Sequence, residues 1–433
     1  MLISPALLLL LSACAAHVDP MFKVQQQATE AQGIESFDGH QVWRLHWNDM
    51  DQHSIQQLNS FLMSQPLDFD VWVQNPREGS LEILLDKLNS LPGATRTVLQ
   101  PDLGLLIQQE SAARSGVSKG DFHKSYHTHK EIAKRLEKVA EEHSNIASLV
   151  TIGETFEKRQ IVGIKIGAQR ENTTSATYMG EIIINSGVHA REWIGPATMM
   201  YIIDALTDGY GKKAEITHAL ETFTWIIVPV INVDGYVFSH EKNRMWRKNR
   251  QPNYAGSRWC VGTDTNRNWD YMFDAGGGAS GNPCSEAYRG PSAFSAPAVK
   301  AMSEYLALRN RDGKVRVYLD IHAYSQLWMY PFGASCSKHV EREADVRADA
   351  IMAVNGKEFT VGGICRTIYQ ASGSSTDWAN AKANITFTYG IELRDTGRHG
   401  FMLPPDQILP SGRETLHGLL AMAKTVEQIE KSA

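Results

Sequence analysis

The chain has 433 residues, of which 42% are hydrophobic, and its 43 Lys and Arg against 48 Asp and Glu give a formal net charge of −5. This composition is typical of a globular protein with a large core, and the length allows roughly three domains. Because no long basic run accompanies the slightly acidic charge, nucleic acid is not expected as a partner.

The chain begins with an apolar run, LISPALLLLLSACAA, that ends in small residues. The run is too short to cross a bilayer and is typical of a signal peptide cleaved near Ala16. We therefore predict a signal peptide over 1–16 and a secreted protein, and no later stretch predicts a membrane span. Because no Lys or Arg precedes the run, a lipoprotein-like or buried segment that uses Cys14 stays open as an alternative.

Strand-like and helix-like patterns follow, up to about Arg114. HQVWRLHW and LDFDVWVQ alternate like strands, whereas DQHSIQQLNSFLMS and LEILLDKLNSLPG have helical spacing. These patterns predict a small α+β unit. Residues 111–131 are then polar and carry Arg114 and Lys119 among small residues, which indicates an exposed linker that a trypsin-like protease can cut.

From His127 onward, the predicted helix HKEIAKRLEKVAEEHSN is followed by short β-rich runs. These runs are ASLVTIGE, IVGIKIG, GEIIINSG, TWIIVPVIN, VRVYLDIHA and ITFTYGIEL, with helical segments between them. The alternation predicts one α/β domain of about 300 residues around a buried central sheet.

Three of these predicted strands end in residues that can bind a metal or transfer a proton. His189 and Glu192 lie in GVHAREW just after EIIIN, and His322 closes VRVYLDIHA. Ligands of open α/β sheets bind beyond the carboxyl ends of strands. Two histidines and a carboxylate there predict a catalytic zinc with an open position for water. Glu392, at the end of TYGIEL, is the candidate general base.

Less specific interpretations of these residues also exist. The His-x-x-Glu spacing recurs at His218 and Glu221, where an amphipathic pattern indicates a solvated helix face. His322 alone could be a buried core histidine, and Glu392 could form a surface ion pair with Arg394.

Basic side chains lie in the loops after TWIIVPVINVDGY. The segments NRMWRKNR and GTDTNRNWD carry Arg244, Arg247, Lys248, Asn266 and Arg267. Arginine near asparagine suits the recognition of a carboxylate. For Lys248 and Arg250 we favour a solvated basic loop.

Four cysteines remain after Cys14, namely Cys260, Cys284, Cys336 and Cys365. An even number in an oxidising compartment predicts two disulfides. Cys260 and Cys284 bracket one glycine-rich loop, which favours the pairs Cys260–Cys284 and Cys336–Cys365. A metal site is the weaker alternative because no C-x-x-C spacing occurs.

Taken together, the motifs resemble the secreted zinc metallocarboxypeptidases of the pancreatic carboxypeptidase A/B family in their proenzyme form. HAREW, NVDGY, NRMWRKNR, DTNRNWD, DIHAYSQ, IYQASGSSTDW and ELRDTGRHGF occur in the family's order and approximate spacing. The resemblance implies a three-layer α/β/α catalytic domain with a central mixed sheet over 115–433. It also implies a small α+β open-sandwich activation domain over 17–114, which covers the active-site cleft until the chain is cut after Arg114.

The resemblance also implies a role for each matching residue. One zinc ion would be bound by His189, Glu192 and His322, with Glu392 as catalytic base and Arg247 stabilising the oxyanion. Asn266, Arg267 and Tyr369 would bind the terminal carboxylate of the substrate, while Arg191, Tyr324 and Phe401 would line neighbouring subsites. Cys336 and Cys365 match a disulfide of some family members. The expected protein is a monomeric zymogen that a trypsin-like protease activates to hydrolyse C-terminal peptide bonds.

The resemblance also bears on substrate preference. Thr376 matches the position where members specific for basic residues carry aspartate, and Gly390 leaves a neighbouring position without a side chain. Asp377 matches a structural aspartate, and the expected apolar walls are Met329, Gly333, Ile364 and Ala371. We therefore expect a preference for aromatic and bulky aliphatic C-terminal residues.

The sequence also bears on two other functions. A catalytically silent relative that binds peptides would be expected to lack a ligand, the base or the oxyanion arginine, and the sequence has all of them. A hormone-processing carboxypeptidase would favour basic C-termini, which Thr376 disfavours.

Overall fold

The computed structural model describes residues 34–46, 70–75, 80–85, 95–116, 122–168, 178–253, 260–275, 277–337 and 349–432. The predicted signal peptide (1–16), the predicted helix over 51–64 and Lys119 lie outside these residues. A small antiparallel sheet comes first along the chain and is followed by a large mixed sheet.

The small sheet consists of β1 (Gln41–His46), β2 (Asp70–Asn75), β3 (Ser80–Leu85) and β4 (Thr95–Gln100) in the order β2-β3-β1-β4. The strands predicted from HQVWRLHW and LDFDVWVQ are present as β1 and β2. The helix predicted from LEILLDKLNSLPG is wrong at its start, because LEILL lies within β3. A short apolar run does not distinguish helix from strand, and pairing with both β1 and β2 decides it here.

Helix α1 (Leu103–Gly116) follows the small sheet and includes Arg114. The sequence predicts an exposed linker from residue 111, but residues 111–116 are helical in the structure. Ser-Ala-Ala-Arg contains good helix formers that extend α1 by one more turn, and the helix ends at a glycine.

The large sheet has the order β11-β10-β12-β9-β7-β8-β6-β5. Its strands are β5 (Ala147–Glu154), β6 (Gln160–Ile166), β7 (Gly180–Ser186), β8 (Phe223–Val228), β9 (Val315–Ala323), β10 (Leu327–Tyr330), β11 (Thr360–Gly363) and β12 (Phe387–Leu393). Strands β12, β9, β7 and β8 are parallel, whereas β5, β6 and β10 pair antiparallel to their neighbours β6, β8 and β12. The prediction of a mixed central sheet is confirmed.

Helices cover the large sheet. They are α2 (His129–Glu142), α3 (Ile194–Gly209), α4 (Ala214–Thr222), α5 (Val233–Glu241), α6 (Pro297–Arg309), α7 (Asp349–Asn355), α8 (Ile364–Thr367), α9 (Ser375–Ala381) and α10 (Ile408–Ser432). All seven residues of β7 are buried. Because successive side chains of a strand point to opposite faces, both faces of the sheet are covered there. No helix in the part of the chain that the structure describes is long and apolar enough to cross a membrane.

Two disulfides tie loops to this domain. Cys260 is bonded to Cys284 and Cys336 to Cys365, with Cα–Cα distances of 4.8 and 5.0 Å. The predicted pairing is confirmed.

Candidate active site

Two histidines and a glutamate converge at the carboxyl edge of the large sheet. His189 Nδ1 lies 2.7 Å from Glu192 Oε1, and His322 Nδ1 lies 3.2 Å from both Glu192 Oε2 and His189 Nδ1. All three side chains are buried, and their possible ligand atoms lie within 4.8 Å of one another. Imidazole nitrogen and carboxylate oxygen are ligands that suit zinc, so these residues fit the metal that the sequence predicts.

The sheet brings these residues together. Strands β7, β9 and β12 are parallel neighbours, so their carboxyl ends meet at one edge. His322 and Glu392 are register partners near the ends of β9 and β12. His189 and Glu192 lie in the turn between β7 and α3. Gly187 in this turn has a φ of +62°, which favours glycine, and a Cβ there would lie 3.1 Å from Val230 Cα.

A carboxylate lies behind each histidine. Asp264 Oδ1 is 3.2 Å from His189 Nε2, and Asp320 Oδ2 is 3.1 Å from His322 Nε2. Burial alone would raise the pKa of Glu192, but His189 and His322 outweigh it and hold that pKa below its usual range. Arg247 and His189 likewise hold the pKa of Asp264 well below its usual range, despite burial.

Glu392 lines the same cleft as the two histidines and Glu192. Burial raises its pKa to about 8, and the Glu192 carboxylate acts in the same direction. The alternative pairing with Arg394 does not occur, because Arg394 donates from Nε to Glu414 Oε1 at 2.7 Å instead. Glu392 therefore belongs to the site and does not form a surface ion pair with Arg394.

Arg247 lines this cleft as well. Its Nη2 donates to Asp264 Oδ2 at 2.8 Å, and although burial lowers its pKa, Asp264 raises it further, so the guanidinium stays charged. Asn232, from the NVDGY motif, donates to the carbonyls of Val188 and Lys248 and so holds the Arg247 loop against the His189 loop.

Asn266, Arg267 and Tyr369 form one group at the wall of the cleft. Arg267 Nη2 donates to the Tyr369 hydroxyl at 3.3 Å, and Asn266 Oδ1 accepts from the Ser375 backbone amide at 3.0 Å. A guanidinium, an amide and a phenol suit the binding of a carboxylate.

Thr376 and Gly390, the two residues predicted to set substrate preference, both line the cleft. A Cβ placed on Gly390 would lie 3.6 Å from Thr376 Oγ1, so the two residues are neighbours in the cleft. Met329, Ile364 and Ala371 line the same cleft, as expected. Gly333 does not line it. Its backbone amide donates to Asp377, which also accepts from Ala334 and is buried.

An aromatic group closes the other side of the cleft. Tyr324 and Phe401 line it with ring centroids 5.0 Å apart. Arg191 differs from the expectation, because it lies behind Phe401, 4.4 Å from the ring centroid, and does not line the cleft. Trp72 of β2 does line it, with its ring 5.0 Å from that of Phe401.

The positions of His218, Lys248 and Arg250 can be compared with their prediction as solvated surface residues. His218 Nε2 lies 2.7 Å from Glu427 and the side chain is 57% exposed, as predicted for a solvated helix face. Lys248 is not solvated. It is buried and donates to the carbonyls of Pro283 and Ser285, so the interpretation as a solvated loop residue is wrong. Arg250 packs over the ring of Phe238 at 3.6 Å.

Sequence reasoning missed three residues of the site, namely Asp264, Asp320 and Trp72. Asp264 lies in the motif DTNRNWD and Asp320 in DIHAYSQ. Asp320 precedes His322 by two residues on the same strand, which places both on one face. A carboxylate at that spacing was an available signal. For Trp72 the sequence offers none, because only packing between distant segments brings it to the cleft.

The comparisons with known proteins agree with this geometry. The zinc carboxypeptidase family (peptidase M14) matches residues 132–418. Carboxypeptidase A4 of Mus musculus is 36% identical over 414 residues, covering 91% of this chain and 95% of the relative. A metallocarboxypeptidase A-like protein of Trichophyton verrucosum is 36% identical over 408 residues, covering 89% and 93%.

A solved structure extends the likeness to the fold. The carboxypeptidase A from Helicoverpa armigera superposes with a TM-score of 0.79 at 26% identity, and the match covers 92% of this chain and all of that one. The family match, the curated relatives and the convergent residues together show that the chain belongs to the zinc carboxypeptidase family and is a metallocarboxypeptidase, a hydrolase of peptides.

Proposed function

We propose that the chain is a secreted zymogen of a zinc exopeptidase that removes aromatic and bulky aliphatic residues from peptide C-termini. The observation that carries the proposal is the convergence of His189, Glu192 and His322 beside Glu392 at one edge of the sheet. We assign one zinc ion per chain to the first three residues.

Each catalytic step follows from the position of a side chain. When bound, zinc supplies Lewis acidity, which makes water nucleophilic near neutral pH. Burial raises the pKa of Glu392, but the charge of a bound zinc ion nearby would favour its ionised form. In that form its carboxylate would accept a proton from the attacking water and pass it to the departing amine. Asp264 holds the Nε and Nη2 edge of Arg247, so the Nη1 edge can turn toward the developing oxyanion.

Binding of the terminal carboxylate would select the last peptide bond. Asn266, Arg267 and Tyr369 line the same cleft as Glu392, so a C-terminal carboxylate bound to them would place the last peptide bond near Glu392. This geometry favours an exopeptidase over an endopeptidase.

The proposed preference rests on the neutral pocket. Thr376 brings no charge, and Asp377 is held by the backbone amides of Gly333 and Ala334 rather than facing a ligand. A lysine or arginine would therefore be buried without a partner, which is costly. Gly390 adds no side chain to the pocket, and Met329, Ile364 and Ala371 give it apolar walls, which suits an apolar C-terminal side chain.

Contacts of the N-terminal unit support the zymogen proposal. Trp72 packs on Phe401 at the cleft, and Glu110 accepts from Arg244 Nε at 2.7 Å. Arg44 donates to the Thr396 carbonyl at 2.7 Å, at the loop that carries Phe401. With these contacts the unit would obstruct substrate entry until a trypsin-like protease cuts near Arg114. We infer secretion from the apolar leader, and we expect a monomer.

The experiment uses the purified full chain, assayed before and after limited trypsin treatment. Release of C-terminal Phe, Trp, Leu and Lys from matched peptides is measured with and without a zinc chelator. We expect chelator-sensitive release of Phe, Trp and Leu only after the cut, and none from a Glu392→Gln control that keeps the zinc ligands. Preferential release of Lys would contradict the pocket assignment, and equal rates before and after the cut would contradict the zymogen assignment.

A further inference from the structure

We infer that Asp320 is a positioning residue that fixes the tautomer and the orientation of the metal ligand His322. The inference deepens the proposed function, because it rests on the zinc site formed by His189, Glu192 and His322. Asp320 is fully buried, and its Oδ2 lies 3.1 Å from His322 Nε2.

Only one of the two side chains beside His322 Nε2 can accept its proton. Asn266 Nδ2 lies 3.2 Å from this nitrogen, but an amide nitrogen cannot accept a hydrogen bond. The Asn266 amide is also fixed in this orientation, because its Oδ1 accepts the Ser375 backbone amide. A proton on Nε2 is therefore donated to Asp320.

This hydrogen bond prepares the other ring nitrogen for the metal. With the proton on Nε2, Nδ1 keeps its lone pair, and Nδ1 is the atom that lies 3.2 Å from Glu192 Oε2 and from His189 Nδ1. A carboxylate behind a metal-binding histidine raises the basicity of the ligand and holds its ring in place.

Asp320 is itself held by two neutral donors. Asn185 Nδ2 donates to Oδ1 at 2.8 Å from the register-paired position on β7, and the Ser375 hydroxyl donates to Oδ2 from the start of α9. Ser375 thus links the support of a metal ligand to Asn266 in the proposed carboxylate site.

The test compares Asp320→Asn with Asp234→Asn in the full chain. The first substitution would keep the shape of the side chain but remove the negative charge that accepts the Nε2 proton. We expect zinc affinity, measured by competition with a chromophoric chelator, to fall by about 10- to 100-fold. Asp234, on α5, is a buried aspartate outside the cleft that accepts from the Thr155 hydroxyl and the Glu157 backbone amide. Its variant should lower stability and leave zinc affinity unchanged.

A second measurement does not depend on the folding of a variant. In wild-type protein labelled with ¹⁵N-histidine and loaded with zinc, NMR should show a slowly exchanging proton on His322 Nε2 and none on Nδ1. An unprotonated Nε2, or zinc affinity in folded Asp320→Asn within twofold of wild type, would overturn the inference. Failure of the wild type to bind zinc would instead overturn the proposed metal site.

Discussion

Arg247 is held by a buried carboxylate, and this constrains its role. Asp264 bonds both His189 and Arg247, so the proposed oxyanion donor and a proposed metal ligand share one buried anion. This coupling keeps the guanidinium charged within the cleft that Glu392 also lines. The arrangement is typical of a preorganised electrostatic site, in which the donors are in place before the charge develops.

Replacing Arg247 with Ala should therefore affect the chemical step more than binding. Loss of one oxyanion donor costs about 10²- to 10³-fold in kcat. We expect that loss with a KM change of only a few-fold, measured on a peptide ending in Phe after activation. Arg250→Ala, which removes a guanidinium that packs over Phe238, is the control and should retain activity. An unchanged kcat in Arg247→Ala would exclude the oxyanion role.

A substitution at Thr376 should shift the substrate preference from apolar toward basic C-terminal residues. In Thr376→Asp a carboxylate would enter a buried, otherwise neutral pocket, where a hydrogen bond to a charged partner contributes about 1.5–3 kcal/mol. We expect kcat/KM for peptides ending in Lys to rise about 10- to 100-fold relative to peptides ending in Phe. Thr376→Asn has a similar shape without the charge and serves as the control. Equal Lys-to-Phe ratios in both variants would contradict the assignment of Thr376 to the pocket.

Among the secondary-structure elements, a buried ion pair links the end of β12, the strand that carries Glu392, to helix α10. Arg394 follows β12 and donates to Glu414, which is fully buried and also accepts from Asn355 Nδ2 at 3.1 Å. Arg394 Nη1 donates to Gln407 at 2.6 Å as well. The pair fixes the direction in which the chain leaves β12, two residues after Glu392.

Removing one partner of this pair should be costly. Glu414→Ala would leave the Arg394 charge buried without its carboxylate, for which about 3–5 kcal/mol of unfolding free energy is typically lost. Urea unfolding measures the change. The control is Glu142→Gln, which breaks the exposed pair with Lys138 and should cost less than about 1 kcal/mol. Equal losses in the two variants would show that the buried pair does not stabilise the fold.

In the molecule as a whole, the N-terminal unit contacts the large domain through the packing of Trp72 on Phe401 and through several hydrogen bonds. Glu35 donates its backbone amide to the Lys242 carbonyl at 2.8 Å and accepts from the Asn243 side chain. Burial raises the pKa of Glu35 to about 7 from 4.5, although the Asn243 hydrogen bond acts in the opposite direction. The attached form therefore binds a proton that the detached form releases.

The sign of this shift predicts how attachment depends on pH. Between pH 4.5 and about 7 the attached unit holds a proton on Glu35 that the detached unit lacks, so attachment weakens as pH rises through this window and changes little above it. After a trypsin cut, inhibition of the enzyme by the N-terminal fragment should be stronger at pH 5 than at pH 8. Glu35→Gln should flatten that dependence, and an identical pH profile in the variant would contradict the role of Glu35.

The strands of the large sheet and the residues at their ends could be predicted without the structure. Each central strand is an apolar run buried on both faces, so its identity depends little on its partners. That His322 and Glu392 lie at one edge followed from parallel strands presenting their carboxyl ends together, whereas the pairing of β9 with β12 is a property of the folded sheet. The disulfide pairs could also be predicted, because Cys260 and Cys284 bracket one glycine-rich loop and their pairing leaves Cys336 for Cys365.

Other features depend on contacts between residues that are distant in the chain, and only the tertiary structure shows them. LEILL became β3 because two strands pair with it, and Lys248 is buried because two backbone carbonyls accept its protons. Asp320 and Asp264 take their places from hydrogen bonds to residues far along the chain. Trp72 reaches the cleft only when the small sheet packs on the large domain. A local sequence pattern cannot predict such contacts, because their free energy arises between segments that are remote in sequence.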